Sequence, residues 1–173
     1  MAATNSSSKT TLDNIISDLK DAYPSISFTE GGTFAWSPKD HTVYFTMSSL
    51  GKQARWTLLH EFAHGMLDHQ DYTSDLELLT LETAAWEAAK ILQVRYDKTN
   101  PIDEDHIQDC LDTYRDWLYA RSRCTHCEQT GLQMSADHYY CINCTQRWQV
   151  THARFNRPYR TRLANKNLPP DYT

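Results

Sequence analysis

Trp56-Thr57-Leu58-Leu59-His60-Glu61-Phe62-Ala63-His64-Gly65-Met66-Leu67 is the stretch from which the rest of the chain can be read. Its apolar residues recur at helical spacing, and a helix sets His60 and His64 one turn apart on one face, in the order HExxH. Two neutral imidazoles on a rigid helix can hold a zinc ion and leave positions for a third ligand and a water. Glu61 stands about 100° round from His60, placed to act on that water and not to bind the metal. Leu58, Leu59, Phe62 and Met66 cover the other side, so a buried helix is expected. Two His and a Glu there need partners, because unpaired polar groups are costly to bury.

Upstream, Leu12, Ile15, Ile16, Leu19 and Tyr23 are spaced for an amphipathic helix over residues 11–23, ended by Pro24. Residues 1–10 read as a disordered lead-in. Three short strand-like runs follow, at 26–28, 33–36 and 42–46, separated by Gly31-Gly32 and Ser37-Pro38-Lys39-Asp40. They predict a small antiparallel sheet ahead of the HExxH helix, with Thr42–Thr46 as an edge able to bind an extended peptide. Ser48 or Ser49 suits the helix N-cap.

Downstream, the helix should end near Asp68–Asp71. On an unbroken helix His69 would lie about 180° round from His60 and roughly 13 Å further along, which makes it a rim group and not a third ligand. His69 and Tyr72 are candidates for contact with a substrate carbonyl. Ser74-Asp75-Leu76-Glu77 has capping-box spacing and opens a helix to about Tyr96. On that helix Leu78, Leu79, Ala85, Trp86, Ala89 and Tyr96 fall within about 60° of Glu82, whereas Glu87 lies about 140° away. A carboxylate in the middle of an apolar stripe needs a cation, and the HExxH metal would provide one.

HEFAH, a loop, and then Glu82-Thr83-Ala84-Ala85-Trp86-Glu87-Ala88-Ala89 resemble the ImmA/IrrE family of zinc metallopeptidases, whose HExxH is followed by a helix with a Glu-x-x-Ala signature. The resemblance covers roughly residues 12–120. It implies a zincin-like fold with His60, His64 and Glu82 as ligands of a catalytic zinc and Glu61 as the base. It also implies a protein substrate, a transcriptional repressor among the candidates. Trp86 stands where the family more often has Asn or Asp.

Asn100-Pro101 is expected to open a further helix, with Ile107, Cys110, Leu111, Tyr114 and Leu118 facing the core and His106 exposed. Beyond it come Cys124-x-x-Cys127 and Cys141-x-x-Cys144, thirteen residues apart. Two such knuckles predict one closed tetrahedral zinc site, structural because it has no open position. Residues 131–134 and 137–140 suit a hairpin and 146–150 a third strand, a zinc ribbon folded mainly by its metal. The expected architecture is therefore α+β: a zincin-like metallopeptidase domain over 11–120 with helices on a small sheet, a ribbon over 121–156, and a basic, partly disordered tail over 157–173.

Charge supports a division near Arg121. Residues 1–120 hold nine Lys and Arg against nineteen Asp and Glu, while residues 121–173 hold eight against three. Arg147, Arg154, Arg157, Arg160, Arg162 and Lys166 alternate with Trp148, Phe155 and Tyr159, a composition that suits either nucleic acid or the acidic part of the same chain. No run of 18 apolar residues is present, so no membrane span is expected. The start lacks a signal-peptide pattern, and a cytoplasmic setting follows as the expectation.

Three readings remain open from sequence: a zinc endopeptidase, a SprT-like protease acting on DNA-bound proteins, and a non-catalytic module binding nucleic acid or protein on a peptidase scaffold. A SprT-like site would take a histidine as third ligand, and none is well placed. Oligomeric state leaves no mark in the sequence.

Overall fold

The computed structural model describes residues 3–49, 51–151 and 160–163, with side chains from Leu12 onward. The fold is α+β and divides into two compact units, Met1–Asp71 with Thr80–Gln108, and Tyr72–Leu79 with Asp109–Thr173.

In the first unit, α1 (Ala3–Ala22) buries Leu12, Ile15, Ile16 and Leu19. The helix therefore begins within the stretch expected as a disordered lead-in. Residues 3–10 contain neither Gly nor Pro, so a helix nucleated by the buried stripe meets no breaker there. Strands β1 (Ser27–Glu30), β2 (Ala35–Ser37) and β3 (Thr42–Phe45) form a sheet in the order β1-β3-β2. β3 runs antiparallel to β2 but parallel to β1, which corrects the all-antiparallel expectation. Alternation says which residues share a face; it says nothing of a strand's partner or direction. The Ser37–Asp40 turn, closed by Ser37 Oγ donating to Asp40 Oδ2 at 3.0 Å, makes the β2–β3 hairpin. β3 is consequently central, and Thr42–Thr46 offers no free edge; β1 and β2 do.

α2 (Lys52–Met66) carries HExxH and packs on β2 and β3. Phe62, fully buried, stacks on Phe28 at 5.8 Å and takes the edge of Tyr23 at 5.0 Å, fixing the helix face opposite the histidines. Truncating such a ring costs about 3–5 kcal/mol. The N-cap is Gly51, at φ 112°, and neither Ser48 nor Ser49; Ser48 instead shares a hydrogen bond with Thr46. Asn100 does not open the last helix either. Buried, it accepts the Trp56 indole N–H at 3.0 Å on its carbonyl and donates to the Lys52 carbonyl, bracing the start of α2. Arg55 adds an ion pair to buried Asp97 at 2.7 Å. α4 (Glu104–Ser122) starts later, with the Asp103 carboxylate accepting from Asp105 N–H. α3 (Asp75–Tyr96) is capped as expected, Ser74 Oγ accepting from Glu77 N–H at 3.1 Å.

The second unit holds four strands in the order β4-β5-β6-β7: Leu132–Ser135, His138–Tyr140, Arg147–Val150 and Arg160–Arg162. The first three lie where the hairpin and the third strand are expected. Arg160–Arg162, assigned to the tail, pair with β6 as a fourth strand. Arg154, Phe155, Arg157, Tyr159, Lys166 and the rest of residues 152–159 and 164–173 lie outside the described residues.

This unit also takes in residues 72–79 and the second half of α4, so the cut near Arg121 is displaced. Arg121 is itself fully buried, its guanidinium 4.5 Å above the Trp117 ring and 5.7 Å from that of Tyr139. It donates to the Ala136 carbonyl and lies 3.9 Å from Asp75 Oδ1, while Tyr139 donates its hydroxyl to Asp75 Oδ2. The shift in net charge marked a change of composition, and the residue at its edge is a core cation. Asp75→Ala leaves that guanidinium without its anion and is expected to cost about 3–5 kcal/mol. Urea unfolding of the full chain should show Asp75→Ala with Arg121→Met to be less destabilised than Asp75→Ala alone; an equal or larger loss in the double variant would refute the pairing.

Candidate metal centres

In the first unit, His60, His64 and Glu82 converge and can hold a metal ion. His60 Nε2 lies 3.2 Å from Glu82 Oε2 and 3.2 Å from His64 Nε2, and His64 Nε2 is 3.7 Å from the same carboxylate oxygen. All three residues are buried. Burial pushes the Glu82 carboxyl up, but the hydrogen bond with His60 and the close approach of His64 outweigh it and hold the group well below the usual carboxylate range. Glu82 is thus anionic wherever the protein is folded near neutrality. Glu87, the alternative on the same helix, is exposed and paired with Lys90 at 2.7 Å.

The two imidazoles are held differently. His64 Nδ1 is 2.9 Å from His69 Nδ1, so one nitrogen donates and the other accepts. If His64 binds metal through Nε2, its Nδ1 carries the proton and His69 accepts it. Burial, followed by the field of His64, lowers the His69 pKa and keeps it neutral for that role. His60 is held by packing: Trp86 stacks on its ring at 4.1 Å, and the edge of that indole meets half-buried His106. His60 Nδ1 and Trp86 Nε1 are both buried without a hydrogen-bond partner among the described residues. His106, expected to be exposed, is packed between Trp56 and Trp86.

His69 reaches His64 because α2 does not continue. Asp68 adopts φ 53°, and the amides of Asp68 and His69 donate to the carbonyls of Gly65 and His64. This Schellman turn reverses the chain and returns the side chain of His69 to the helix it has just left. The helical projection assumed a straight continuation, and the turn removes that assumption.

Glu61 does not join the three donors. Its Oε2 accepts the main-chain N–H of Trp36 at 2.9 Å, from the edge strand β2. The Trp36 indole N–H donates to the His69 carbonyl at 2.9 Å, and its ring lies over Gly65. A Cβ on Gly65 would come 2.8 Å from the indole. Gly65→Ala is therefore expected to displace Trp36 and destabilise the first unit by about 1–3 kcal/mol, read as a lower urea midpoint with a shifted tryptophan emission. Sequence reasoning missed Trp36, since an aromatic in a short strand carries no signal of which helix it meets. Tyr72 lies in the second unit, packed beside Leu78, Trp117 and Leu118.

The second group, Cys124, Cys127, Cys141 and Cys144, can also hold a metal ion. Cys124 and Cys144 sulfurs are 3.5 Å apart, as are those of Cys127 and Cys141. The two knuckles have the same backbone. Glu128 N–H donates to the Cys124 carbonyl and Thr145 N–H to that of Cys141, each with φ near 60° at the residue after the second cysteine. Hydrogen bonds from the Asn143 side chain and the Gln129 backbone pull the Cys127 thiol down to about 6, favouring the thiolate that a metal needs. Tyr139, Trp148 and Val150 form a small core beside the cysteines.

Set against protein-family models, curated proteins and solved structures, the chain matches none. What the two centres can do must be read from their own geometry. Among the described residues no helix is long and apolar enough to cross a membrane.

Proposed function

We propose that the chain is a zinc-dependent endopeptidase, with His60, His64 and Glu82 holding the catalytic ion and the four cysteines a structural one. The observation that carries this is the spacing of the three donors beside a Glu61 that is not one of them. Nitrogen and oxygen ligands about 2.0–2.1 Å from a tetrahedral zinc stand roughly 3.3–3.4 Å apart. The edges here are 3.2, 3.2 and 3.7 Å. Thiolates about 2.3 Å from zinc stand roughly 3.8 Å apart, and the cysteine sulfurs all lie within 4.8 Å of one another. Both donor sets fit the ion.

When bound at the first centre, zinc would lower the pKa of a water and polarise the scissile carbonyl. The chain's own residues do the rest. Glu61 takes the proton of the attacking water on Oε1, which has no partner among the described residues, while Oε2 stays on Trp36. It then returns the proton to the leaving amine. His69 fixes the ring of His64, and Trp86 that of His60. An extended peptide would lie along an edge strand of the sheet, β1 or β2, in place of Thr42–Thr46; on β2 the Trp36 N–H is already held by Glu61.

This reading agrees with the resemblance to the ImmA/IrrE family and with Glu82, not a histidine, as the third donor. Its test is cleavage of labelled casein by the full chain, abolished by 1,10-phenanthroline and restored by zinc. Cleavage undiminished by the chelator would refute it.

A further inference from the structure

Resting on the peptidase reading, we propose that Trp36 is a positioning residue for Glu61, and that the edge strand β2 thereby sets the orientation of the catalytic carboxylate. Three contacts converge on this one residue. Its main-chain N–H holds Glu61 Oε2, its indole N–H holds the His69 carbonyl in the turn that ends α2, and its ring occupies the space left by Gly65. The ring also meets the edge of His41, in the turn between β2 and β3, at 5.6 Å.

The geometry separates two jobs. A glutamate side chain has three rotatable bonds, and on a helix surface nothing in its own element fixes where the carboxylate points. A main-chain donor is a better fixture than a side chain, because the β2–β3 pairing already sets its position: Trp36 lies opposite Val43, which is fully buried. With Oε2 engaged there, only rotations that keep this bond remain open to the carboxylate. The indole contacts keep the strand from drifting off α2. His69 joins the two halves of the site: its carbonyl anchors the residue that orients the base, and its imidazole supports the ligand His64.

The test uses the full, zinc-loaded chain, isotopically labelled for amide spectroscopy, with metal content measured in each variant. In Glu61→Ala the Trp36 main-chain amide should move upfield and exchange about tenfold faster, with the Trp36 indole resonance in place and two zinc ions retained. An unmoved Trp36 amide overturns the proposal. On labelled casein, Trp36→Ala should lower kcat by about tenfold to a hundredfold with KM and zinc content near wild type. Trp36→Phe, which like Trp36→Ala keeps the main-chain donor but also keeps a ring over Gly65, should recover most of that loss. An unchanged kcat in Trp36→Ala overturns the positioning role, as does a rise in KM alone. If wild type cleaves no casein while the Trp36 amide still responds to Glu61→Ala, the contact stands and the peptidase reading is what fails.

Discussion

Glu61→Gln is expected to lower peptide hydrolysis by about two to four orders of magnitude while leaving both zinc ions in place. The amide can still accept the Trp36 N–H on its oxygen, so the side chain keeps its shape and its tether, and what disappears is the ability to take a proton from water. Glu82→Ala should differ in kind. On the proposed reading, removing the carboxylate that both histidines face takes away one of three protein ligands, so one zinc per chain should be lost together with activity. Metal analysis and casein cleavage, measured on the same preparations, separate the two roles. Undiminished cleavage in Glu61→Gln would end the mechanism, and two zinc ions in Glu82→Ala would end the assignment of the third ligand.

Cys124→Ser is expected to unfold the ribbon without touching the first centre. Structural zinc is worth about 10–16 kcal/mol of apparent binding free energy in small domains, and that binding is folding free energy. The core here is a handful of residues around Tyr139, Trp148 and Val150, too few to hold four strands unaided. Hydrogen exchange should show β4 to β7 unprotected in the variant, with α2 as protected as in wild type and one zinc retained. Protected strands in the absence of the second zinc would show that the Arg121–Asp75–Tyr139 contacts suffice.

Much of the first centre was legible because helices have a fixed pitch. HExxH needs only the four-residue spacing of His60 and His64, and Glu82 was found by its angle among apolar neighbours. Helical geometry misled at one point, where Asp68 turns the chain and brings His69 back to His64. The sheet was harder. Strand composition located β1, β2 and β3 to within a residue or two, yet the parallel pairing of β1 with β3 depends on contacts between residues far apart in sequence. Trp36, Trp86 and Arg121 escaped for the same reason: each is defined by a partner on another element. The knuckles, in contrast, were readable from four cysteines alone, since ligand spacing is a local property.

The contact between Asp75 and Tyr139 also spans more of the chain than either candidate metal centre. It closes a loop of 64 residues, whereas His60 meets Glu82 across 22 and Cys124 meets Cys144 across 20. Closing the longer loop costs roughly 1 kcal/mol more in chain entropy than either short one. The two metal centres are therefore reached by nearby search and the Asp75–Arg121–Tyr139 contacts by distant search. On chain entropy alone, both donor groups can assemble before the start of α3 meets a strand that the chain writes sixty residues later.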